Sequence, residues 1–151
     1  MRLTGLGGLG KSSLAARLCD RLTDYARVVL FGELDEAGLV RLLADAVQDA
    51  ELRQRLQDPD EALRYRLREV FQAETEPTFL LVLDDFEANL ESVGDGFRLK
   101  EGAAQVLGEL VWALEQAELG HRVIITCRYG FEFTGLAKFY QQPLAALAQA
   151  D

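Results

Sequence analysis

The sequence predicts an α/β fold, a three-layer sandwich in which helices cover a mostly parallel five-stranded sheet. Short apolar runs typical of buried strands alternate with longer segments of helical periodicity. A glycine-rich turn joins the first strand to the first helix. Two later apolar runs, residues 79–83 and 123–126, both end in polar side chains. Parallel strands place such side chains at one edge of a sheet, where α/β proteins bind ligands.

The first half of the chain is predicted to hold two strands and two helical segments. Residues 2–4 form a short strand before the glycine-rich turn, and residues 11–22 follow as a helix with one apolar face. Residues 27–31 (RVVLF) are a β-branched run typical of a buried strand. Residues 39–56 have a mostly helical apolar period and are predicted as one helical segment.

The middle of the chain is predicted to hold a capped helix, a strand and a loop. Asp58 can cap a helix whose first turn holds Pro59 and which runs to about residue 73. Residues 78–83 are the strongest strand signal in the chain. Residues 87–100 are polar and contain glycine, and we expect them to form a mobile loop.

The last third is predicted to continue the alternation. Residues 101–118 form a helix ended by Gly120, and residues 123–126 form a continuous apolar strand. A last short strand is predicted over residues 138–142, followed by a helical tail from residue 144. The 151 residues are enough for one domain with one core.

Composition excludes several classes of function. The net charge is −9, from 25 acidic and 16 basic residues, which argues against a nucleic-acid or membrane-surface binder. The longest apolar run is too short to span a bilayer, and no apolar signal segment begins the sequence. Cys19 and Cys127 fit neither a metal spacing nor a disulfide framework. We therefore expect a cytoplasmic protein.

Residues 5–12 read GLGGLGKS and match the phosphate-binding pattern G-x-x-x-x-G-K-[ST] at every fixed position. Glycines let the backbone curl so that successive N–H groups point at a phosphate, and the following helix aims its positive end at the same anion. Lys11 is predicted to reach the β and γ phosphates. The hydroxyl group of Ser12 is predicted to ligate Mg²⁺.

Residues 79–85 read FLLVLDD, an apolar strand that ends in two carboxylates. Asp84 is predicted to hold Mg²⁺, and Asp85 to orient or activate the attacking water. Glu87 is a weaker candidate for the base. A strand of this kind is the Walker B arrangement, which accompanies the phosphate-binding Walker A pattern of residues 5–12.

Residues 123–128 read VIITCR, a third strand with a polar end. Arg128 is predicted to act as a sensor of the γ-phosphate. Two roles are open for Thr126, which can hydrogen-bond the attacking water or hold the end of the strand.

The order of motifs favours one branch of P-loop proteins. The strand over residues 27–31 lies between the P-loop and the second motif strand along the chain. An extra strand between these two motif strands in the sheet fits the additional-strand ATPases better than nucleotide kinases or GTPases. No Asn-Lys-x-Asp guanine signature occurs, so adenine is preferred by elimination.

Residues 5–15, 80–85 and 123–128 together resemble the P-loop, the double-aspartate Walker B strand and the sensor strand of the STAND ATPases, in particular the NB-ARC group. The resemblance implies a P-loop NTPase core, and a regulatory switch that is closed with ADP and opened by exchange for ATP. It also implies that residues 1–151 are a core fragment. The strand before the P-loop is short, and the helical subdomain that follows in the family is absent. We therefore expect weak nucleotide affinity and very slow hydrolysis.

The expected cofactors are ATP or ADP with Mg²⁺, and the expected partners are further domains of the parent chain and, on ATP binding, other copies. Neither nucleic acid nor a membrane is expected. Catalysis is assigned to Asp85, Lys11 and Arg128, and metal binding to Ser12 and Asp84. The predicted nucleotide-binding residues are Gly5, Gly7, Gly8, Leu9, Gly10, Lys11, Ser12, Ser13 and Arg128. Two alternatives stay open: an interaction module that binds nucleotide without hydrolysing it, and a P-loop small-molecule kinase.

Overall fold

A computed structural model describes residues 1–5, 10–137 and 139–143, and every structural statement below concerns these residues. In chain order the strands and helices are β1 (Arg2–Thr4), α1 (Lys11–Arg21), β2 (Ala26–Phe31), α2 (Glu36–Ala46), α3 (Ala50–Leu56), α4 (Leu63–Gln72), β3 (Phe79–Asp84), β4 (Leu90–Val93), β5 (Gly96–Leu99), α5 (Glu101–Gln116), β6 (Arg122–Cys127) and β7 (Gln141–Pro143). Short 3-10 turns occupy Phe86–Asn89 and Thr134–Leu136.

Five strands form the main sheet in the order β2-β3-β6-β1-β7. Every neighbouring pair in this sheet is parallel, which confirms the predicted α/β class. A strand lies between the two motif strands in the sheet, as predicted, but it is not the strand over residues 27–31. The strand that separates β1 from β3 is β6, whereas β2 lies at the edge of the sheet beyond β3. The carboxyl ends of β3, β6 and β1 are therefore neighbours.

Helices pack on both faces of the sheet, as a three-layer arrangement requires. On one face, Ala15 and Cys19 of α1 pack against alternate residues of β1, β3 and β6. On the other face, the complementary residues of β2, β3 and β6 pack against α2, α4 and α5 in a larger core. Because side chains alternate along a strand, one buried strand such as β3 contributes to both cores. This packing holds β3 and β6 rigidly in the middle of the molecule.

The helical segment predicted over residues 39–56 is two helices. The buried carboxylate of Glu76 accepts hydrogen bonds from the backbone N–H groups of Gln48, at 2.8 Å, and Asp49, at 2.7 Å. Asp49 then caps α3 by accepting from the N–H of Leu52 at 2.9 Å. The chain breaks here because side chains satisfy the N–H groups that a continuous helix would have used.

The helix predicted to begin at Asp58 begins at Leu63 instead. Asp58 accepts a hydrogen bond from the N–H of Asp60 at 3.0 Å, which forms a local turn rather than a helix cap. The first turn of α4 is capped from another helix, because Glu109 of α5 accepts from the N–H of Arg64 at 3.0 Å and pairs with its guanidinium. That guanidinium holds the pKa of the Glu109 carboxyl below its usual value.

The loop predicted over residues 87–100 is largely structured. A 3-10 turn leads into a hairpin of β4 and β5, in which Val93 pairs with Gly96 across a two-residue turn. Gly94 has a φ of 56°, and tight hairpin turns favour glycine there. The Gly-Asp-Gly run at residues 94–96 is a hairpin signal that the sequence analysis did not use.

Several boundaries shift near the carboxyl end. The helix predicted to residue 118 ends at Gln116, and the last strand is Gln141–Pro143. Lys138 and the tail from residue 144 lie outside the described residues. In the part of the chain that the structure describes, no helix has the length and apolar character needed to cross a bilayer.

His121, the single histidine in the sequence, contacts both α4 and the start of β3 through its ring nitrogens. Its Nδ1 accepts from the N–H of Phe79 at 2.9 Å, and its Nε2 lies 2.8 Å from the carbonyl oxygen of Phe71. A neutral ring with its proton on Nε2 satisfies both contacts. Burial lowers the pKa of His121 below its usual value, in agreement with a neutral ring.

This environment predicts a loss of stability at mildly acidic pH. As pH falls through about 6.5, the unfolded chain protonates His121 while the folded protein does not, so the free energy of unfolding decreases. Urea denaturation from pH 7 to pH 5 should show this slope in the wild type and a shallower one in His121→Asn. The shifted pKa of the Met1 amine, about 6, is common to both proteins and cancels in the comparison. Equal slopes would contradict the assignment.

Candidate functional site

The predicted site residues follow three neighbouring strands. Thr4 at the end of β1 lies opposite Cys127 at the end of β6, and β6 also pairs with β3 just before Asp84. The chain after Thr4, the two aspartates and Arg128 therefore leave the sheet at the same edge. The topology brings these segments together as the sequence analysis expected.

Helix α1 begins at Lys11, directly after Gly10. Gly10 has a φ of 78°, a left-handed conformation that favours glycine, and it immediately precedes α1. No side chain caps α1, and its first turn contains no acidic residue. The N–H groups of this turn are therefore suited to an anion. Ser13 lies on the same turn and is exposed, whereas Gly7, Gly8 and Leu9 lie outside the described residues.

Lys11 is buried at the start of α1, and its side chain reaches back to Gly5. Its Nζ donates a hydrogen bond to the carbonyl oxygen of Gly5 at 2.6 Å. This contact connects the two described ends of the glycine-rich segment. The ammonium group therefore lies beside Gly5, the first residue of the motif that predicts phosphate binding.

A network centred on Asp84 joins the three motif segments. The hydroxyl of Ser12 donates to Oδ1 of Asp84 at 2.9 Å, across 72 positions of sequence. Thr126 donates a short hydrogen bond to the same oxygen. The Oγ1 of Thr126 also accepts from the N–H of Asp85 at 3.1 Å. Of the two roles open for Thr126, the structure favours holding the strand end, because its hydroxyl is occupied in both directions.

Asp85 has a left-handed backbone. Its φ of 56° makes it the one non-glycine residue with positive φ among those the structure describes. Aspartate tolerates this region better than most residues, but the conformation still costs on the order of 1 kcal/mol. Such strain is concentrated at functional sites, and here the hydrogen bond to Thr126 holds it in place.

Arg128 pairs with Glu87. The Nε of Arg128 lies 2.8 Å from Oε1 of Glu87, and the backbone N–H of Arg128 makes a longer contact of 3.4 Å to the other carboxylate oxygen. The carboxylate of Glu87, a weaker candidate for the base on sequence grounds, is thus paired with Arg128, the predicted sensor of the γ-phosphate. No sequence pattern pointed to this pair, because its members are 41 positions apart.

Asn89 is a residue near the site that the sequence does not single out. Its buried side chain accepts from the N–H of Leu34 at 2.7 Å and donates to the carbonyl oxygens of Gly32 and Phe86. These hydrogen bonds connect the turn after β2 to the turn that follows the two aspartates. A lone asparagine in a polar stretch has no sequence signal for such a role.

Cys127 is fully buried beside the site. Burial raises the pKa of its thiol, so the reactive thiolate is disfavoured at neutral pH. This agrees with the structural role expected for a small strand-end residue. A separate groove of about 930 Å³ lies between the starts of α2, α4 and α5, and the described site residues Lys11, Ser12, Asp84, Asp85 and Arg128 do not line it.

Comparison with known proteins adds no family assignment. No protein-family model matches the chain, and a search of curated proteins returns no match.

The network around Asp84 predicts that Thr126 matters through its hydroxyl group. Thr126→Val keeps the shape of the side chain but leaves the N–H of Asp85 unpaired, which should lower the free energy of unfolding by about 2 kcal/mol. Thr126→Ser keeps the hydroxyl group and should stay closer to the wild type. Urea denaturation of the three proteins measures the difference. Equal stability of the valine and serine variants would show that the hydroxyl group is unimportant.

Proposed function

We propose that this chain binds ATP or ADP with Mg²⁺ at the shared carboxyl edge of β1, β6 and β3, hydrolyses ATP slowly, and acts as the nucleotide switch of a larger signalling protein. The contact between Ser12 and Asp84 carries this proposal. Two motifs that the sequence separates by 72 positions meet with their oxygen atoms 2.9 Å apart. A P-loop and a Walker B aspartate require such a meeting to share one metal ion.

The phosphates would be held by the glycine turn and by the first turn of α1. The left-handed Gly10, the uncapped start of α1 and the nearby ammonium of Lys11 all favour an anion at this point. A Cβ atom added at Gly10 would meet no atom of the described residues within 4 Å. These features support a bound polyphosphate more than a neutral ligand.

Mg²⁺ fits the two oxygen atoms that Ser12 and Asp84 present. Mg²⁺ prefers hard oxygen ligands, and it commonly takes one or two from protein while water and phosphate supply the rest. When bound, the ion would neutralise charge that develops on the phosphates. Thr126 would keep the Asp84 carboxylate oriented, since it donates to the same oxygen atom.

Asp85 is the candidate for orienting the attacking water. Its carboxylate makes no hydrogen bond with any residue that the structure describes, and its backbone is held by Thr126. Glu87 is a poor alternative because it is paired with Arg128.

The switch role and self-association on ATP binding rest on the resemblance to STAND ATPases of the NB-ARC group. Nucleotide exchange at the shared edge would change the contacts of Arg128, and neighbouring domains could respond to that change. This part of the proposal concerns the parent protein as a whole.

Nucleotide binding should depend on Lys11 and Ser12. Calorimetry with Mg²⁺-ATP should show an affinity at least about tenfold lower for Lys11→Ala, because a charged phosphate contact is lost. Ser12→Ala should lose most of the difference between affinities measured with and without Mg²⁺. Arg17→Ala removes the same charge from an exposed position of α1 and serves as the control. If Lys11→Ala binds as the control does, the proposed site is wrong.

Hydrolysis and binding can be separated at Asp85. Asp85→Ala should bind Mg²⁺-ATP with little change but release phosphate at least about tenfold more slowly, as expected for loss of a group that positions water. Phosphate release under single-turnover conditions measures this rate. An unchanged rate would favour the alternative of a module that binds nucleotide without turning it over.

A further inference from the structure

Glu87 contacts Arg128 in a way that leaves part of the guanidinium available. One carboxylate oxygen pairs with Nε at 2.8 Å, and the other lies 3.4 Å from the backbone N–H of the same arginine. The two terminal nitrogens, Nη1 and Nη2, donate no hydrogen bond to any residue that the structure describes. The carboxylate of Glu87 therefore approaches the guanidinium most closely at Nε, its inner edge, and no described residue accepts a hydrogen bond from the outer edge.

The two partners differ in exposure. The side chain of Glu87 is 18% exposed, whereas that of Arg128 is 51% exposed. Glu87 belongs to the 3-10 turn that begins immediately after Asp85, and Arg128 directly follows β6. The less exposed carboxylate, on the 3-10 turn after Asp85, therefore contacts a more exposed guanidinium just beyond the end of β6.

The geometry points to Glu87 as a positioning residue for Arg128. It holds the arginine through Nε and the main chain, so that Nη1 and Nη2 can receive the γ-phosphate without first being ordered. This inference rests on the proposed function, because it assigns to Glu87 the preference of that site for ATP over ADP.

The contacts argue against two other roles. If Glu87 kept Arg128 away from the nucleotide, as a latch, its carboxylate would pair with the terminal nitrogens, because these are the atoms that bind a phosphate. A general base would need an oxygen atom without a cationic or N–H neighbour, yet the two oxygen atoms of Glu87 lie 2.8 Å from Nε and 3.4 Å from the backbone nitrogen of Arg128. A carboxylate beside a guanidinium also accepts a proton less readily.

The test compares three variants of the whole chain in calorimetry with Mg²⁺-ATP and Mg²⁺-ADP. Glu87→Ala should lower the affinity for ATP about tenfold through loss of an ordered charged contact, while the affinity for ADP changes less than about twofold. Glu87→Gln keeps an acceptor for Nε and should retain most of the ATP preference. Glu91→Ala removes a comparable acid from the exposed pair with Arg98 in the adjacent hairpin and should match the wild type.

The other outcomes are informative. Tighter ATP binding by Glu87→Ala would identify a latch, and loss of hydrolysis in Glu87→Gln with intact binding would identify a base; each overturns the inference. An equal preference for ATP over ADP in all variants would also overturn the inference, but it would leave the proposed function intact. A wild type that binds neither nucleotide would remove the proposed function itself. The ¹⁵Nε resonance of Arg128 is an independent readout, and it should differ between the wild type and Glu87→Ala if the pair forms in solution.

Discussion

The site depends on one oxygen atom. Oδ1 of Asp84 accepts hydrogen bonds from the hydroxyl groups of Ser12 and Thr126, which belong to two other segments of the chain. Because the oxygen is half-buried at the end of a fully packed strand, these bonds fix the start of α1 and the end of β6 relative to β3. A carboxylate held by two hydroxyl groups is oriented before any ligand arrives, which reduces the entropy that binding must overcome. The remaining features of the site, including the strained turn at Asp85, depend on this arrangement.

The order of strands makes that arrangement feasible. β6 lies between β1 and β3, so its last residues touch both motif segments. Thr126 points to Asp84 and, two residues further on, Arg128 reaches Glu87 on the turn that follows the aspartates. Thr126, in β6, and Arg128, just after it, therefore both contact the turn that follows β3. A third contact comes from the opposite side, where Asn89 binds the turn that follows β2. These contacts make the turn a junction between strands rather than a free loop.

Several boundaries of helices are decided by side chains that are distant in sequence. Glu76 accepts hydrogen bonds from two backbone N–H groups between α2 and α3, and Glu109 accepts one from a backbone N–H group at the start of α4. Each carboxylate satisfies backbone donors that would otherwise be unpaired, and an unpaired buried donor is costly. The apolar period over residues 39–56 predicts one helix because periodicity records which side of a helix is buried. It does not record where a distant carboxylate interrupts the backbone.

The amino-acid sequence by itself determined the alternation of strands and helices, the parallel sheet and the edge where the motif residues gather. These follow from local apolar patterns and from the rule that parallel strands share one carboxyl edge, so neighbouring residues suffice to reveal them. The position of β6 between the motif strands, the pairing of Glu87 with Arg128 and the hairpin over residues 90–99 were decided only in the tertiary structure. The P-loop reading of the site stays a prediction until binding is measured. The division has a physical reason: apolar periodicity is a property of adjacent residues, whereas a hydrogen bond across 72 positions exists only after the sheet has brought its partners together.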